Sequence, residues 1–377
     1  MDEMYYYWLH NVPGIGKGTF QKILKHMSPR ELFESDQESR FFFLTDKQRE
    51  NIAMSKKQWN IVKEWKDIES RKIKIFLHES VEYPQKLSQI PDPPPILYYK
   101  GKQDIMDKPS VAVIGARACS NYGSLAAKEL GRELATMGIV VVSGMARGID
   151  SICQSACLEH GGESIGVLGS GVEVCYPPEN RALYERLQEQ GCLVSENPPY
   201  TQPCAGLFPL RNRIISGLAD VIVVIESREK SGTQITVDMA LEQGKEVYAL
   251  PGRITDTVSR GCNKLIKQGA GILLSPREFV EEICPMLKLK YQGKEVKVQP
   301  SLSNEEKRIL SIMGVSMMSM EEIYEELKQV EETVSLTQIM GNVLELRMKG
   351  IIEEESGHYY CNNLRLSKRE NEKCNLQ

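Results

Sequence analysis

The sequence predicts an α/β protein built on an extended Rossmann-like parallel sheet, with a small helical domain before it and a winged-helix-like domain after it. Three observations lead to this fold class. Short apolar runs alternate with helical patterns between residues 110 and 274. A proline-rich stretch at 81–100, which cannot continue a helix, connects this region to residues 1–80. A polar linker at 291–303 separates it from a third segment.

Residues 1–80 are predicted to form a small helical domain, because apolar positions from Leu9 to Met27 recur near helical spacing. The domain is expected to be SAM-like or helix-hairpin-helix-like, and its glycine-rich turn at 12–19 resembles the hairpin of helix-hairpin-helix modules. Backbone N–H groups at such a helix start can contact a DNA phosphate. A packing or protein-contact module is an equally good interpretation of this turn.

The central domain is predicted at 101–290, where helical patterns separate consecutive strands. Right-handed crossovers between such strands give a mostly parallel sheet. The predicted strands lie near 111–114, 139–142, 164–168, 192–194, 221–225, 246–250 and 272–274.

The third domain is predicted at 304–365, followed by a tail at 366–377. Helices at 304–313, 319–328 and 335–349, and then a small hairpin, follow the order of a winged helix. Residues 301–363 carry 5 basic and 12 acidic side chains, a net charge of −7. Since phosphate would repel this surface, we expect the domain to contact protein or to regulate a basic pocket rather than to bind duplex DNA.

Composition limits the class of protein further. No apolar run approaches the roughly 20 residues of a membrane helix, and the amino terminus lacks the order of a secretory signal, so a cytoplasmic protein without membrane association is expected. The ten cysteines are scattered, without a Cys-x-x-Cys pair or a histidine set. We therefore expect reduced thiols, no metal and no cofactor; Cys153 and Cys157, one helical turn apart, are the only weak metal candidate.

Two strand-to-helix turns carry the strongest functional signal. The run Val111–Ile114 leads into Gly115, Ala116 and Arg117, with Ser120 at the next helix start; the run Ile139–Val142 leads into Ser143, Gly144, Met145, Ala146, Arg147 and Gly148. The carboxyl ends of parallel strands form the ligand crevice of an open sheet, and helix-start N–H groups there favour anions. Turn geometry alone explains the glycines but not an arginine in each turn. The two turns predict one phosphate-binding pocket.

Two later segments are predicted to complete this pocket. The first carries Arg211, Asn212 and Arg213; the second carries Lys230, Ser231 and Gly232 after the strand at 221–225. Residues two apart cannot share a helical face, so one of the two arginines is expected to meet phosphate and the other to pair with a carboxylate. An ordinary helix cap is the alternative for the second segment.

These residues closely resemble the DNA-processing protein A family (DprA, also called Smf). Further matching segments include Tyr83–Leu87, Ile90–Tyr98, Val167–Gly171, Tyr176-Pro177, Ser195-Glu196 and Leu250–Gly252. The resemblance implies a non-enzymatic protein that binds incoming single-stranded DNA, loads RecA onto it in natural transformation, and forms a homodimer through the central domain. Binding should be largely neutral to sequence, with Tyr122, Tyr176 and Phe208 as candidates for base stacking.

Three positions depart from the family pattern. Cys153-Gln154 replaces the usual Ala-His, which excludes a catalytic role for that histidine here; Leu210 and Pro178 replace an arginine and a lysine that are common in the family. Both charge losses predict a lower DNA affinity than the resemblance suggests.

Three other functions compete with this prediction. A phosphoribohydrolase of the lysine-decarboxylase-like type would need a poised carboxylate such as Asp150, Glu173 or Glu196, but its Pro-Gly-Gly-x-Gly-Thr loop is missing. A dinucleotide-dependent oxidoreductase would need fingerprint glycines that are absent after Gly115. A duplex-reading transcription factor would rest on the acidic third domain alone.

Overall fold

The computed structural model describes residues 2–35, 41–291, 302–314, 316–330, 335–355 and 357–361. The chain divides into two compact units, Met1–Tyr291 and Gln292–Gln377. No helix in the described ranges is both long and apolar enough to cross a bilayer.

The first unit begins with five helices: α1 (Glu3–His10), α2 (Lys17–Leu24), α3 (Pro29–Glu34), α4 (Asp46–Gln58) and α5 (Ile61–Ser70). Capping boxes start α3 and α4, where Ser28 and Thr45 accept hydrogen bonds from the N–H three residues on. The largest fully buried side chains of this region, Trp8 and Phe20, lie in its core. Of the aromatic run at residues 5–8, Trp8 lies in this core, whereas the buried Tyr7 packs with Ile75 and Tyr98.

Within the described residues, nine strands form one sheet in the order β1-β2-β6-β5-β4-β3-β7-β8-β9. Strands β3 to β9 run parallel, and β1 and β2 extend the sheet antiparallel at one edge. The strands are β1 (Lys74–Leu77), β2 (Ile96–Gly101), β3 (Ser110–Gly115), β4 (Val140–Ser143), β5 (Ser164–Val167), β6 (Cys192–Ser195), β7 (Val221–Ile225), β8 (Glu246–Ala249) and β9 (Gly271–Ile272). The Rossmann-like parallel sheet predicted from the sequence is confirmed.

Strands β1 and β2 were not predicted. The first lies in the segment expected to be helical, and the second lies at the end of the expected proline-rich connector. Each depends on a distant partner: Ile75 pairs with Tyr98, and Tyr99 pairs with Val194 of β6. Because the last proline precedes Ile96, every residue of β2 keeps its N–H for the ladder.

Eight further helices surround the sheet: α6 (Gln85–Ser88), α7 (Asn121–Thr136), α8 (Ile149–Glu159), α9 (Arg181–Gln190), α10 (Leu207–Leu218), α11 (Gly232–Glu242), α12 (Arg260–Lys267) and α13 (Pro276–Met286). Alternate residues of each strand enter separate cores. Val111 and Val113 pack with α7, α8 and α13, whereas Ala112 and Ile114 pack with α10 and α11. Burial on both faces explains why the strands are almost wholly apolar.

The order of the strands reverses beside β3. The chain steps outward from β3 through β4 and β5 to β6, and then returns so that β7 pairs with the other side of β3. Ligands of open α/β sheets bind outside the carboxyl ends of strands at such a reversal. The fold therefore places its ligand crevice at the ends of β3 and β7.

The second unit contains α14 (Asn304–Met313), β10 (Met318–Ser319), α15 (Met320–Val330), α16 (Leu336–Met348), β11 (Ile352–Glu355) and β12 (His358–Cys361). The three strands pair antiparallel in the order β10-β12-β11. The helices agree closely with the bounds expected from the sequence, whereas the winged-helix assignment stays a prediction. Most of the predicted linker and the tail at 366–377 lie outside the described residues.

Candidate functional site

The turns that follow β3 and β4 pack directly against each other at the crevice. A Cβ on Gly115 would lie 1.9 Å from the Ile225 carbonyl oxygen, so a glycine lets β3 and β7 end side by side. Gly148 has φ +75°, and a Cβ there would lie 2.3 Å from the Ala116 oxygen. The Ile149 N–H donates to that same oxygen at 3.2 Å. The structure thus brings together the two turns singled out in the sequence.

Buried polar groups hold the turn after β4 in a fixed conformation. One carboxylate oxygen of Asp150 accepts from the N–H groups of Gly144 at 3.1 Å and Ala146 at 3.4 Å. The side-chain amide of Asn180 donates to the Met145 carbonyl at 2.8 Å, and Met145 itself is buried with φ +55°. A left-handed residue of this kind persists only where its surroundings over-determine it, so the turn is preformed.

Arg211 supports this turn from inside the protein. Its Nη1 donates to the Gly144 carbonyl at 2.7 Å and to the Val167 carbonyl, and its Nε donates to Asn212 Oδ1 at 3.3 Å. Burial lowers the pKa of Arg211 to about 10, and the charge of Asp150 opposes that shift. Burial likewise raises the pKa of Asp150, although the charge of Arg211 and the hydrogen bonds from the Gly144 and Ala146 N–H groups act to lower it. Arg211 remains charged at neutral pH, and its charge lies beneath the crevice floor.

Arg213 points away from Arg211 and joins an ion cluster. Its Nε lies 3.1 Å from Asp92 Oδ2, and its Nη2 lies 2.6 Å from Glu196 Oε1. Lys17 Nζ lies 2.6 Å from the other oxygen of Asp92. Burial acts to raise the pKa of Asp92, but the charges and hydrogen bonds of Lys17 and Arg213 outweigh it, so the pKa of Asp92 lies below its ordinary value. One arginine of the pair is thus engaged by carboxylates.

The same cluster engages the glycine-rich turn of the amino-terminal helices. Lys17, the first residue of α2, is the lysine of that turn and also lies 3.4 Å from Glu196. This contact attaches the helical segment to the central sheet. Lys17 thus takes part in packing, while contact of this turn with DNA stays a prediction.

Two predicted serine contacts have partners inside the protein. The buried Ser143 hydroxyl donates to the Val113 carbonyl at 2.6 Å. The Ser120 hydroxyl accepts from the Gly123 N–H at 3.2 Å as the cap of α7, while its own N–H donates to Glu226 Oε2 at 2.7 Å. The start of α7, expected to receive a phosphate, already holds a carboxylate of this chain.

Glu226 is a site residue that the sequence analysis missed. It follows β7 directly, is buried and has φ +53°. A Cβ on Gly123 would lie 2.5 Å from its carboxylate, so α7 approaches Glu226 as closely as a glycine permits. In the sequence, a charged residue directly after the apolar run at 221–225 could have indicated that Glu226 belongs to the site.

Exposed cations surround the fixed turns. Arg117 is exposed, and no ion pair is recorded for it in the described part of the chain. Arg147 is 54% exposed in its side chain, and its Nε donates to Glu179 Oε1 at 3.2 Å. Lys230 is exposed in the loop after β7. These three side chains are the predicted cations that face solvent.

The loop after β7 continues this basic surface beyond the predicted residues. The hydroxyls of Ser231 and Ser227 lie 2.8 Å apart, and a Cβ on Gly232 would meet open space. Arg228, Arg253 and Arg260 are also exposed. The Gly261 N–H donates to the Ser227 carbonyl at 2.7 Å, which places the start of α12 against this loop. The sequence analysis missed these three arginines because they belong to no motif.

Aromatic rings border the same edge. Tyr176 is partly exposed, and its ring lies 5.5 Å from that of Phe208. The half-exposed Tyr122, in the first turn of α7, donates its hydroxyl to the Pro251 carbonyl at 2.9 Å. Such rings offer π-faces on which bases can stack.

The carboxylates weighed for an enzyme are engaged by other groups of the protein. Asp150 supports the turn after β4, and Glu196 pairs with Arg213. Glu173 lies 2.5 Å from Lys100 Nζ. A general acid or base must reach its substrate proton, and these three groups are occupied in stabilising the fold.

Fold and site together define a Rossmann-like protein whose preformed, cationic crevice suits a polyanion. The sequence model of the family described as DNA recombination-mediator protein A matches residues 74–284. The chain belongs to this family and has a DNA-processing role.

Individual relatives agree with this assignment. The chain is 33% identical to protein Smf of Synechocystis sp. over 308 residues, which cover 78% of this chain and 76% of that protein. It is 41% identical to DNA processing protein DprA of Streptococcus pneumoniae over 200 residues, or 53% of this chain and 71% of the relative.

Two solved structures share the fold. The X-ray structure of DprA from Streptococcus pneumoniae superposes with a TM-score of 0.63 at 31% identity and covers 74% of this chain and 97% of that one. A structure of DprA from Helicobacter pylori, described for its single-stranded DNA binding mode, gives a TM-score of 0.53 at 29% identity, over 57% of this chain and 97% of that one.

Proposed function

We propose that the crevice binds single-stranded DNA by its sugar-phosphate backbone. The observation that carries the proposal is the arrangement of the solvent-facing Arg117 and Lys230, together with Arg147 in its ion pair with Glu179, around turns that buried hydrogen bonds already hold in place. Arg211 adds charge beneath the turn. Phosphate contacts of this kind carry no base code, so binding is largely neutral to sequence.

Preference for a single strand follows from the aromatic residues. Tyr176 with Phe208, and Tyr122 at the start of α7, present rings that can stack only on unpaired bases. Duplex DNA keeps its bases stacked and offers only its backbone to the rim. The DprA structure from Helicobacter pylori, which concerns single-stranded DNA binding, supports this choice of ligand.

The proposed role is to protect incoming single-stranded DNA in the cytoplasm and to load RecA onto it in natural transformation. The family resemblance supports both statements, and the engaged carboxylates support binding rather than catalysis. We further propose a homodimer through the central domain. Strand β9 is an edge strand; Ile272 at its end and Leu274 two residues further on are exposed, and an apolar sheet edge readily pairs with another chain.

A direct test is fluorescence anisotropy with labelled oligonucleotides of about 20 nucleotides, in single-stranded and hairpin duplex form. We expect tighter binding of the single strand and similar affinities for different sequences. Arg117→Ala should weaken binding of all single strands equally, whereas Asp256→Ala, at an exposed acidic position in the loop after β8, should not weaken it. Equal affinity for duplex and single strand, or unchanged binding by Arg117→Ala, contradicts the proposal.

A further inference from the structure

Among its described residues, the second unit presents an apolar stripe that is exposed to solvent. On α16, Ile339, Val343 and Leu346 are buried in the core of the unit. A second stripe on the same helix recurs every four residues and is between 46% and 81% exposed; it consists of Leu336, Met340, Leu344 and Met348. A helix that is apolar on its solvent face as well as its core face marks an interaction surface.

A groove lies alongside this stripe. Leu336 and Met340 of α16 line it together with Met320 and Tyr324 of α15 and with Tyr359 of β12, around a volume of about 390 Å³. Methionine side chains adapt to different partners because they are flexible and polarisable. The floor of the groove is therefore apolar and adaptable.

The rim of the groove is acidic. Glu321 and Glu325 are among the residues that line it. The described residues of this unit contain ten glutamates and five lysines or arginines. Two of those five cations are already neutralised, since Arg347 pairs with Glu354 and Lys349 pairs with Glu306. One further cation, Lys328, lies near the groove, with its Nζ 5.6 Å from the centroid of the Tyr324 ring. The groove thus combines an apolar floor with two rim glutamates and one nearby lysine, so the rim stays negative.

We propose that this groove binds an amphipathic protein helix that carries lysine or arginine beside its apolar stripe. DNA and an anionic membrane surface are repelled by the glutamate rim. A second copy of the same surface is repelled by like charge. A basic amphipathic helix satisfies both features, because its apolar residues fill the groove at helical spacing while its cations meet the rim.

The test uses the full-length protein and a labelled designed peptide of about 18 residues, made of leucine and lysine at amphipathic spacing. A scrambled peptide of identical composition is the control. We expect anisotropy to show binding of the amphipathic peptide and weaker binding of the scrambled one. Met340→Asp should reduce affinity by roughly tenfold, and Thr337→Asp, an exposed change on the same helix outside the stripe, should reduce it far less.

Charge reversal at the rim gives a second, independent result. Glu321→Lys combined with Glu325→Lys should weaken binding of the basic peptide while the thermal midpoint stays the same, because both side chains lie on the surface. Equal binding of scrambled and amphipathic peptides overturns the proposal. The proposal is also overturned if Met340→Asp binds the peptide normally but has a smaller mass than the unmodified protein in analytical ultracentrifugation. A second copy of the protein would then occupy the groove.

Discussion

The salt dependence of DNA binding offers a quantitative test of the crevice, since each phosphate neutralised by a cation releases counterions from the DNA. For a single strand, the slope of log affinity against log salt is about −0.7 for each contact. Arg117, Arg228 and Lys230 lie in the turns that follow β3 and β7 and are exposed without a recorded ion pair in the described residues. Phosphate contacts by these three cations alone give a slope of about −2.1. Affinity should then fall about 20-fold between roughly 50 and 200 mM salt.

Replacing Arg117 by alanine removes one of these contacts. The slope should become about −1.4, so that the same change in salt costs only about sevenfold in affinity. The measurement is a series of anisotropy titrations with one oligonucleotide at four or more salt concentrations. Because the slope counts contacts, it distinguishes a lost phosphate contact from a general loss of folded protein.

Lys102→Ala is the matched control, because it removes one positive charge next to the amino-terminal end of β6, whereas the crevice lies at the carboxyl ends of the parallel strands. The Lys102 N–H donates to the carbonyl of Gly191, the residue before β6, and its side chain pairs with Glu163. This variant should keep the original slope. If both variants lowered the slope equally, net charge rather than the crevice would govern binding, and the assignment of Arg117 would be refuted.

Three further outcomes follow. Glu179→Gln should release Arg147 for phosphate, steepening the salt slope by about 0.7 and raising low-salt affinity; an unchanged slope would place Arg147 outside the binding surface. Gly148→Ala would place a Cβ 2.3 Å from a backbone oxygen. It should lower the unfolding free energy measured in urea by about 1–3 kcal/mol and weaken DNA binding. The control Gly138→Ala, at a positive φ but in open space, should lower the unfolding free energy less and leave DNA binding unchanged. Burial lowers the pKa of His10 from 6.5 to about 4. Because the unfolded chain takes up this proton first, stability should fall by about 3 kcal/mol from pH 7 to pH 4. A His10→Asn protein that lost as much stability over this range would contradict this.

The sequence predicted the parts of the site that depend on strand order. Arg117 and Arg147 each follow an apolar run, and parallel pairing alone brings such turns to one edge. It could not predict Glu226 at the start of α7, because that contact joins residues 106 positions apart. The same limit applies to β1 and β2, whose partners lie far along the chain.

The two arginines of α10 show a different limit. Helical spacing correctly separated Arg211 from Arg213, but it could not tell which one turns toward the crevice. That choice depends on Asp92 and Glu196, which flank the position of Arg213 only in the folded protein. Composition was similarly uninformative, since a chain with a net charge of −4 still concentrates cations at one edge of its sheet.

Helix α10 links two parts of the protein that are distant in sequence. In one turn of this helix, Arg211 donates to the Gly144 carbonyl and Arg213 pairs with Asp92. Asp92 also pairs with Lys17 of α2. Severing the amino-terminal segment would leave Asp92 and Glu196 with a single cation between them. We therefore expect a protein without this segment to hold Arg213 less firmly and, with it, α10, whose Arg211 supports the turn after β4.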